Sequence, residues 1–316
     1  MAILGLTDVG SPRDDEAEAR VPGRLAVRAD PAVDWIDDAC GPEARAALAA
    51  HPAFRPAVAR LVGEISALYS GNRLLNRLLS DRGRNMLGLL ILYLDALPPA
   101  EGGGLTAARI VALCTATGIC SRGRAKAMLA LMRWGGYLAS AAPTEDRRVK
   151  PLMPQAKLVA LQHKRWRLVF EAGSALDPAL ARLAPRLDED AFTRLIAIMM
   201  GEAFIAGFRP VSVAMELEDL VDRDGGLMVL IALLTAEGSG AEPPSIADLS
   251  RRFHLSRAHV LDLLRLSEER GLVERGARGT GRLSPLGRDA LERFFACIFA
   301  VMSGAARAAE ARLRVS

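Results

Sequence analysis

The side chains with the clearest chemical potential lie between Cys120 and Lys150. Ser121-Arg122-Gly123-Arg124-Ala125-Lys126 leads into Met128-Leu129-Ala130-Leu131-Met132-Arg133, then Gly135-Gly136-Tyr137-Leu138 and the polar run Thr144-Glu145-Asp146-Arg147-Arg148-Val149-Lys150. Ser121 is a suitable N-cap, because its hydroxyl can accept from the free N–H groups of a first helical turn. Ala125, Met128, Leu129 and Met132 recur at helical spacing and predict one buried stripe. Arg122, Lys126 and Arg133 fall in one narrow sector beside it, with small Ala127 and Ala130 next to them. A cationic helix face of low relief fits a DNA major groove, where arginine and lysine donate to guanine N7 and O6. The Arg147-Arg148 tip and Lys150 suit a phosphate backbone or a minor groove. The expected chemistry is recognition of a polyanion.

Other chemistries find less support. No Ser/His/Asp or Cys/His set has a recognisable context, and Gly102-Gly103-Gly104 lacks the Lys-Ser/Thr and the preceding strand of a phosphate loop. An enzyme is not expected. His254 and His259 are off same-face helical spacing, His51 and His163 stand alone, and there is no His-Glu-x-x-His, so no metal site and no cofactor are expected. Glu216, Glu218 and Asp219 read as a solvated helix face. Met199, Met200 and Phe204 read as core, with an effector pocket as the alternative. Trp35, Trp134 and Trp166 read as core or interface anchors. Cys40, Cys114, Cys120 and Cys297 include no Cys-x-x-Cys pair and follow no signal peptide, which predicts free thiols in a reducing cytoplasm. Cys114 and Cys120 read as buried core thiols, with a redox pair as the alternative. No run of about 18 apolar residues lacks charge, so no membrane span is expected.

Composition and charge point the same way. The 316 residues are 51% hydrophobic and only 5% aromatic, rich in Ala, Leu and Arg, which favours helices over sheets and predicts about two domains. The net charge is +4, but residues 81–171 hold 14 basic and 6 acidic side chains, net +8, while residues 172–221 hold 4 and 8, net −4. The excess coincides with the cationic helix, as a polyanionic partner requires.

The elements that must position those residues follow from the pattern. Residues 1–30 mix Gly, Pro and alternating charge and predict a mobile arm. N-terminal helices are expected in residues 31–80, notably over 56–79 with Val58, Leu61, Ile65 and Leu68 as one stripe. Asp81 can cap an almost wholly apolar helix over 84–97, which Pro98-Pro99 and the Gly run break. Thr106 caps a short helix, Gly118 turns, and Ser121 opens the cationic helix, in helix–turn–helix order. A hairpin and a basic wing follow, ending at Pro151-Leu152-Met153-Pro154, and a helix begins near Gln155. Pro178 and Pro185 punctuate a connector before helix 188–208.

The chain then repeats itself. Asp81-Arg82 and Met86-Leu87-Gly88-Leu89-Leu90 match Asp222-Arg223 and Leu227-Met228-Val229-Leu230-Ile231. Ser121-Arg122 matches Ser256-Arg257. Ala125, Leu129 and Gly136-Tyr137-Leu138 match Val260, Leu264 and Gly271-Leu272-Val273, and Leu152-x-Pro154 matches Leu283-x-Pro285. The offset drifts from 141 to 135 to 131 without a change of order, so the second copy has a shorter inter-helix loop and a shorter wing.

The second copy reads Phe253-His254-Leu255-Ser256-Arg257-Ala258-His259-Val260, then Glu268-Glu269-Arg270-Gly271-Leu272-Val273, then Leu283-Ser284-Pro285-Leu286-Gly287. It resembles the winged helix–turn–helix of MarR-type bacterial transcription regulators, with Ser-x3-Val in the reading helix, Leu-x3-Gly-Leu-Val entering the hairpin and a Leu-Thr-x2-Gly-like turn after the wing. The first copy is similar. The resemblance covers roughly residues 81–171 and 222–300. It implies a mainly α fold with small β-hairpin wings: two tandem winged helix–turn–helix domains packed with flanking helices as a pseudo-dimer in one chain. Departures are the duplication itself, a second wing (Gly276 to Arg282) without the acidic-Arg-Arg signature, and Leu261 with Asp262 on the outward side of the second reading helix.

The expected division is an N-terminal arm (1–30), N-terminal helices (31–80), a first winged-helix domain (81–172), connecting helices (173–221) and a second winged-helix domain with its C-terminal helix (222–316). The expected function is sequence-specific binding of double-stranded DNA at an imperfect palindrome by a cytoplasmic, nucleoid-associated transcription regulator. The expected contacts are Ser121, Arg122, Arg124, Lys126, Arg133, Arg147, Arg148 and Lys150 in the first copy, and Ser256, Arg257, His259, Leu261, Arg265, Arg278 and Arg282 in the second. The alternative is a protein-interaction scaffold. A small-molecule effector or a protein is the further candidate partner, no membrane is expected, and a monomeric pseudo-dimer could pair again.

Overall fold

The computed structural model describes residues 34–71, 76, 82–142, 148–276 and 281–315. It is mainly helical, with two small two-stranded antiparallel sheets. The expectations for residues 1–30, Asp81, Arg147 and Arg278 fall outside the described residues.

Before the first copy lie α1 (Asp34–Cys40), α2 (Pro42–Ala50) and α3 (Phe54–Tyr69). The expected helix over 56–79 breaks after Tyr69, because Ser70 is extended and Gly71 takes φ +70, a left-handed turn that glycine adopts without strain; of the rest of that range only Asn76, which is helical, lies within the described residues. Its buried face is also rotated: Val58, Leu61, Val62, Ser66 and Tyr69 are inside, while Ile65 and Leu68 are only partly covered.

Residues 82–173 then run helix, helix, helix, strand, strand, helix: α4 (Arg82–Ala96), α5 (Ala107–Ala116), α6 (Arg122–Trp134), β1 (Leu138–Ser140), β2 (Leu152–Pro154) and α7 (Ala156–Gly173). The connecting helices are α8 (Pro178–Leu183), α9 (Asp190–Ile205) and the short α10 (Glu218–Val221). The same six-element order returns in α11 (Gly226–Gly238), α12 (Ile246–Phe253), α13 (Arg257–Glu269), β3 (Val273–Arg275), β4 (Gly281–Leu283) and α14 (Pro285–Val315). Both hairpins are antiparallel, with Leu138 opposite Pro154 in the first and Val273 opposite Leu283 in the second, a register two residues different from the one the matched sequences would give.

The local signals behind these boundaries work as sequence chemistry demands. Thr106, Ser121, Ser245 and Ser256 each accept the N–H three residues on, and Ser245 with Asp248 completes a capping box. α4 and α11 are apolar almost all round and are buried accordingly, through Leu87, Leu90 and Ile91 in one and Val229, Leu230 and Ile231 in the other.

The packing between halves is reciprocal. α3, which precedes the first copy, lies on α11, the first helix of the second; α9, which precedes the second copy, lies on α4, the first helix of the first. α2 packs on α14, and α8 packs on α7. Each half therefore completes its core with a helix from the other, and the buried side chains of both form one continuous cluster. The α9–α4 crossing is close because Gly201 faces Tyr93: a Cβ there would lie 2.4 Å from the Tyr93 ring.

α14 is 31 residues long and apolar enough by length and composition to cross a membrane, but 72% of that apolar window is buried inside this protein, which is the signature of a core helix. It is the C-terminal helix expected in the second domain, and it opens on Pro285, a favourable first-turn position.

Candidate nucleic-acid interface

α6 carries four basic residues, Arg122, Arg124, Lys126 and Arg133, and no acidic one. Its inner face is Ala125, Met128, Leu129 and Met132, as the stripe predicted, so Arg122, Arg124, Lys126, Ala127 and Ala130 are exposed together. Ser121 Oγ accepts from the N–H of Arg124 at 3.3 Å and fixes the first turn. Among the described residues, the side chains of Arg122 and Lys126 have neither an ion pair nor a hydrogen bond, while Arg124 and Arg148 do have partners. Arg133 reaches across to the wing, donating from Nη2 to Ser140 Oγ at 3.1 Å, and so ties helix to hairpin. Lys157 donates to the carbonyl of Gly135 at 3.2 Å and lies over the Tyr137 ring, which places a cation at the negative end of the helix. Arg148 and Lys150 are exposed on the hairpin beside α6.

Of the two roles expected for Trp134, core or interface anchor, its position leaves the interface one. It is 74% exposed at the end of α6, on the side opposite the buried stripe, and Met153 on the adjacent strand is exposed with it. Trp166 is buried as expected, and Trp35 is partly buried against the core.

The second copy presents a different face. α13 has two basic residues, Arg257 and Arg265, against three acidic ones, Asp262, Glu268 and Glu269, net −1. Arg265 pairs with Asp262 at 3.6 Å, and Arg275 on β3 pairs with Glu268 at 3.2 Å. His259 is turned inward: its Nε2 lies 2.8 Å from the carbonyl oxygen of Asp224, and since a carbonyl only accepts, that nitrogen carries the proton. Leu261 is half-buried. The loop before α11 carries Asp224 to the His259 ring, which engages it within the fold. Ser256 is spent on capping, accepting from the N–H of His259 at 3.1 Å, and Arg257 and Arg282 are exposed.

The acidic cluster before α11, expected as a solvated face, is exposed at Asp219 and half-buried at Glu216 and Glu218. Glu216 accepts from Arg293 at 2.9 Å, and its carboxyl is held below the usual range by its own backbone N–H and then by that guanidinium; Asp219 pairs with Arg270. Met199 and Phe204 are buried in the core, as the simpler reading of that stretch expected.

The reciprocal packing produces two openings at equivalent places. One, of about 300 Å³, lies where α3, α11 and α14 meet; its mouth holds the ion pairs Arg55–Glu292 at 3.1 Å and Arg288–Glu237 at 2.7 Å. The other, where α9, α4 and α7 meet, is only about 50 Å³, because Trp166 fills it with His163 stacked on its ring. Burial lowers the His163 pKa, the largest effect there. Among the described residues there is no group of three or more His, Cys, Asp or Glu side chains that could hold a metal ion.

The chain matches no protein-family model, and neither a curated protein nor a solved structure is similar to it.

Proposed function

We propose that the chain is a DNA-binding transcription regulator of two tandem winged helix–turn–helix units, paired as a pseudo-dimer around an approximate two-fold. α6 enters a major groove, the first hairpin tracks the adjacent phosphates, and Arg122, Arg124, Lys126 and Arg133 make the principal contacts. The observation that carries this reading is the exposed, acid-free cationic face of α6, on which Arg122 and Lys126 have no partner among the described residues. A side chain that is left solvated and unpaired is ready to exchange water for phosphate or a base edge, and releases counterions when it does so. The reciprocal exchange of α3 and α9 supports the pairing, since a two-fold arrangement requires that each contact have its converse.

The same observations favour an unequal reader. The second copy contributes Arg257 and Arg282 near its outward face, but its helix is net acidic. The site on DNA is therefore an imperfect palindrome, read strongly in one half. A second reading, that the second unit is a protein-docking scaffold, is favoured specifically by the internal pairing of Arg265 with Asp262.

A gel-shift titration on genomic fragments at several salt concentrations tests the proposal. Binding should weaken linearly in log–log form, with a slope of about −0.9 per phosphate contacted. Absence of binding, or binding indifferent to salt, would remove DNA from the account and leave the scaffold.

A further inference from the structure

On α6 the residues farthest from the core form one line. Gly123, Ala127, Ala130 and Trp134 lie within about 60° of arc on a 3.6-residue wheel, opposite the buried stripe of Ala125, Met128, Leu129 and Met132. All four are exposed, and a Cβ on Gly123 would meet nothing within 4 Å. Arg122, Lys126 and Arg133 flank the line on one side, and Arg124 flanks it on the other. The line is a ridge about 16 Å long at 1.5 Å per residue, almost without relief until it ends in an indole that is 74% exposed.

The second copy is an internal control. At the offset of 135 that aligns the two helices, the ridge positions of α13 are Ala258, Asp262, Arg265 and Glu269. These are exposed as well, and Asp262 pairs with Arg265. The same helix end therefore folds with glutamate where α6 has tryptophan, so the fold itself does not require an indole there. Single exposed apolar side chains are ordinary on a protein surface. Trp134 is set apart by its company: of the six large hydrophobics exposed among the described residues, Trp134, Val149 and Met153 lie on this helix and its hairpin, in the segment with the largest cationic excess.

A large ring at the end of a low, cation-flanked ridge limits what it can meet. In an intact duplex the faces of the bases are covered by their neighbours, and a helix in the major groove meets base edges. Among those edge groups the thymine 5-methyl is the apolar one. The flanking cations suit phosphates and guanine, whereas an indole offers no acceptor and an apolar face. We infer that Trp134 is a specificity residue that packs against the 5-methyl group of a thymine at the end of the half-site read by α6. Small Gly123, Ala127 and Ala130 let the helix backbone settle toward the groove floor and bring the ring to that depth. The inference rests on the proposed groove-binding role of α6 and adds to it the base recognised at one position.

The test uses the full-length chain and a duplex recovered by selection from a randomised pool. Its thymines are replaced one at a time by deoxyuridine, which removes only the methyl group. At one position the replacement should weaken wild-type binding by about fourfold, the value of one buried methyl group. The same replacement should change binding by Trp134→Ala by about 1.5-fold or less, since the two losses share one contact. Trp134 lies outside the core, so the alanine variant should keep the wild-type urea midpoint. Bound duplex should also shield part of the wild-type tryptophan emission from acrylamide, and Trp134→Phe should lose that protection. Equal responses of wild type and Trp134→Ala at every thymine, or no sensitive thymine, would overturn the inference and leave α6 a DNA-binding helix. Tighter wild-type binding to a duplex with an unpaired base, lost in Trp134→Ala, would overturn it by showing the ring stacked on a base face. A chain that selects no duplex would remove both this inference and the reading beneath it.

Discussion

α6 and α13 occupy the same place in the two halves, have the same length, and are capped by the same serine geometry, yet their outer faces have opposite sign. α6 exposes cations without a single acid; α13 answers its two arginines with three acids and pairs one of them within the helix. Their inner faces are alike, Ala125-Met128-Leu129-Met132 against Val260-Leu263-Leu264-Ser267. Burial conserves the scaffold of each unit because core positions answer to volume and polarity. Solvated positions answer to nothing inside the fold, so their divergence points to a difference in partner.

The largest expected effect bears directly on that contrast. Arg122→Glu with Lys126→Glu should weaken duplex binding by about tenfold to a hundredfold or more at 0.15 M salt, on the scale of ~1–3 kcal/mol per lost contact. Arg257→Glu with Arg265→Glu should change it by about threefold or less, since one of those arginines is already neutralised by Asp262. Equal losses would break the asymmetry. Arg147→Glu with Arg148→Glu should flatten the salt slope by about 0.9 per lost phosphate contact, for non-specific DNA as well.

The reciprocal packing comes next in size. Gly201→Leu would push a side chain into the Tyr93 ring at the α9–α4 crossing and should destabilise by about 1–3 kcal/mol in urea unfolding. Its effect should be felt in both halves at once, in a single transition, because the two share one core. A biphasic curve would show that the halves fold separately.

The caps give a smaller and more discriminating test. Ser121→Ala and Ser256→Ala should each lower stability by about 1 kcal/mol, since each removes a bond to an N–H of the first turn. Only Ser121→Ala should also weaken DNA binding.

The smallest effect is a pH dependence. Burial lowers the pKa of His163 below its unfolded value, so as pH falls through about 6.5 the unfolded chain takes up a proton that the folded chain resists. Stability from this group is present above that range and is lost on acidification, with Asp190 and Asp188 opposing the shift and Arg167 adding to it. The difference in unfolding free energy between wild type and His163→Phe should therefore change between pH 7 and pH 5; parallel curves would show His163 to be solvated.

Much of the order of elements was legible. Ser and Thr caps, Gly turns and 3.6-residue stripes are local signals, and they place the first-copy helices within a residue or two. The failures are where a contact from elsewhere intervenes. Trp134 was open between core and interface, and the α6 stripe turns it outward. His259 has the position of a contact residue, but the loop carrying Asp224 takes its ring. Glu216 reads as solvated in sequence, but Arg293, 77 residues further along, reaches it and half-buries it.

What the sequence by itself determined is the repeat, the caps and the charge of each exposed helix face, because these depend on residue type and on neighbours a turn or two away. What only the tertiary structure decided is which half each flanking helix serves. α3 follows its own sequence into the first copy but completes the second, and α9 does the converse. Apolar stripes specify burial without naming a partner, and only the packed structure shows that Gly304 lets α1 settle onto α14, where a Cβ would lie 2.6 Å from Ala39 Cβ and from the Trp35 ring.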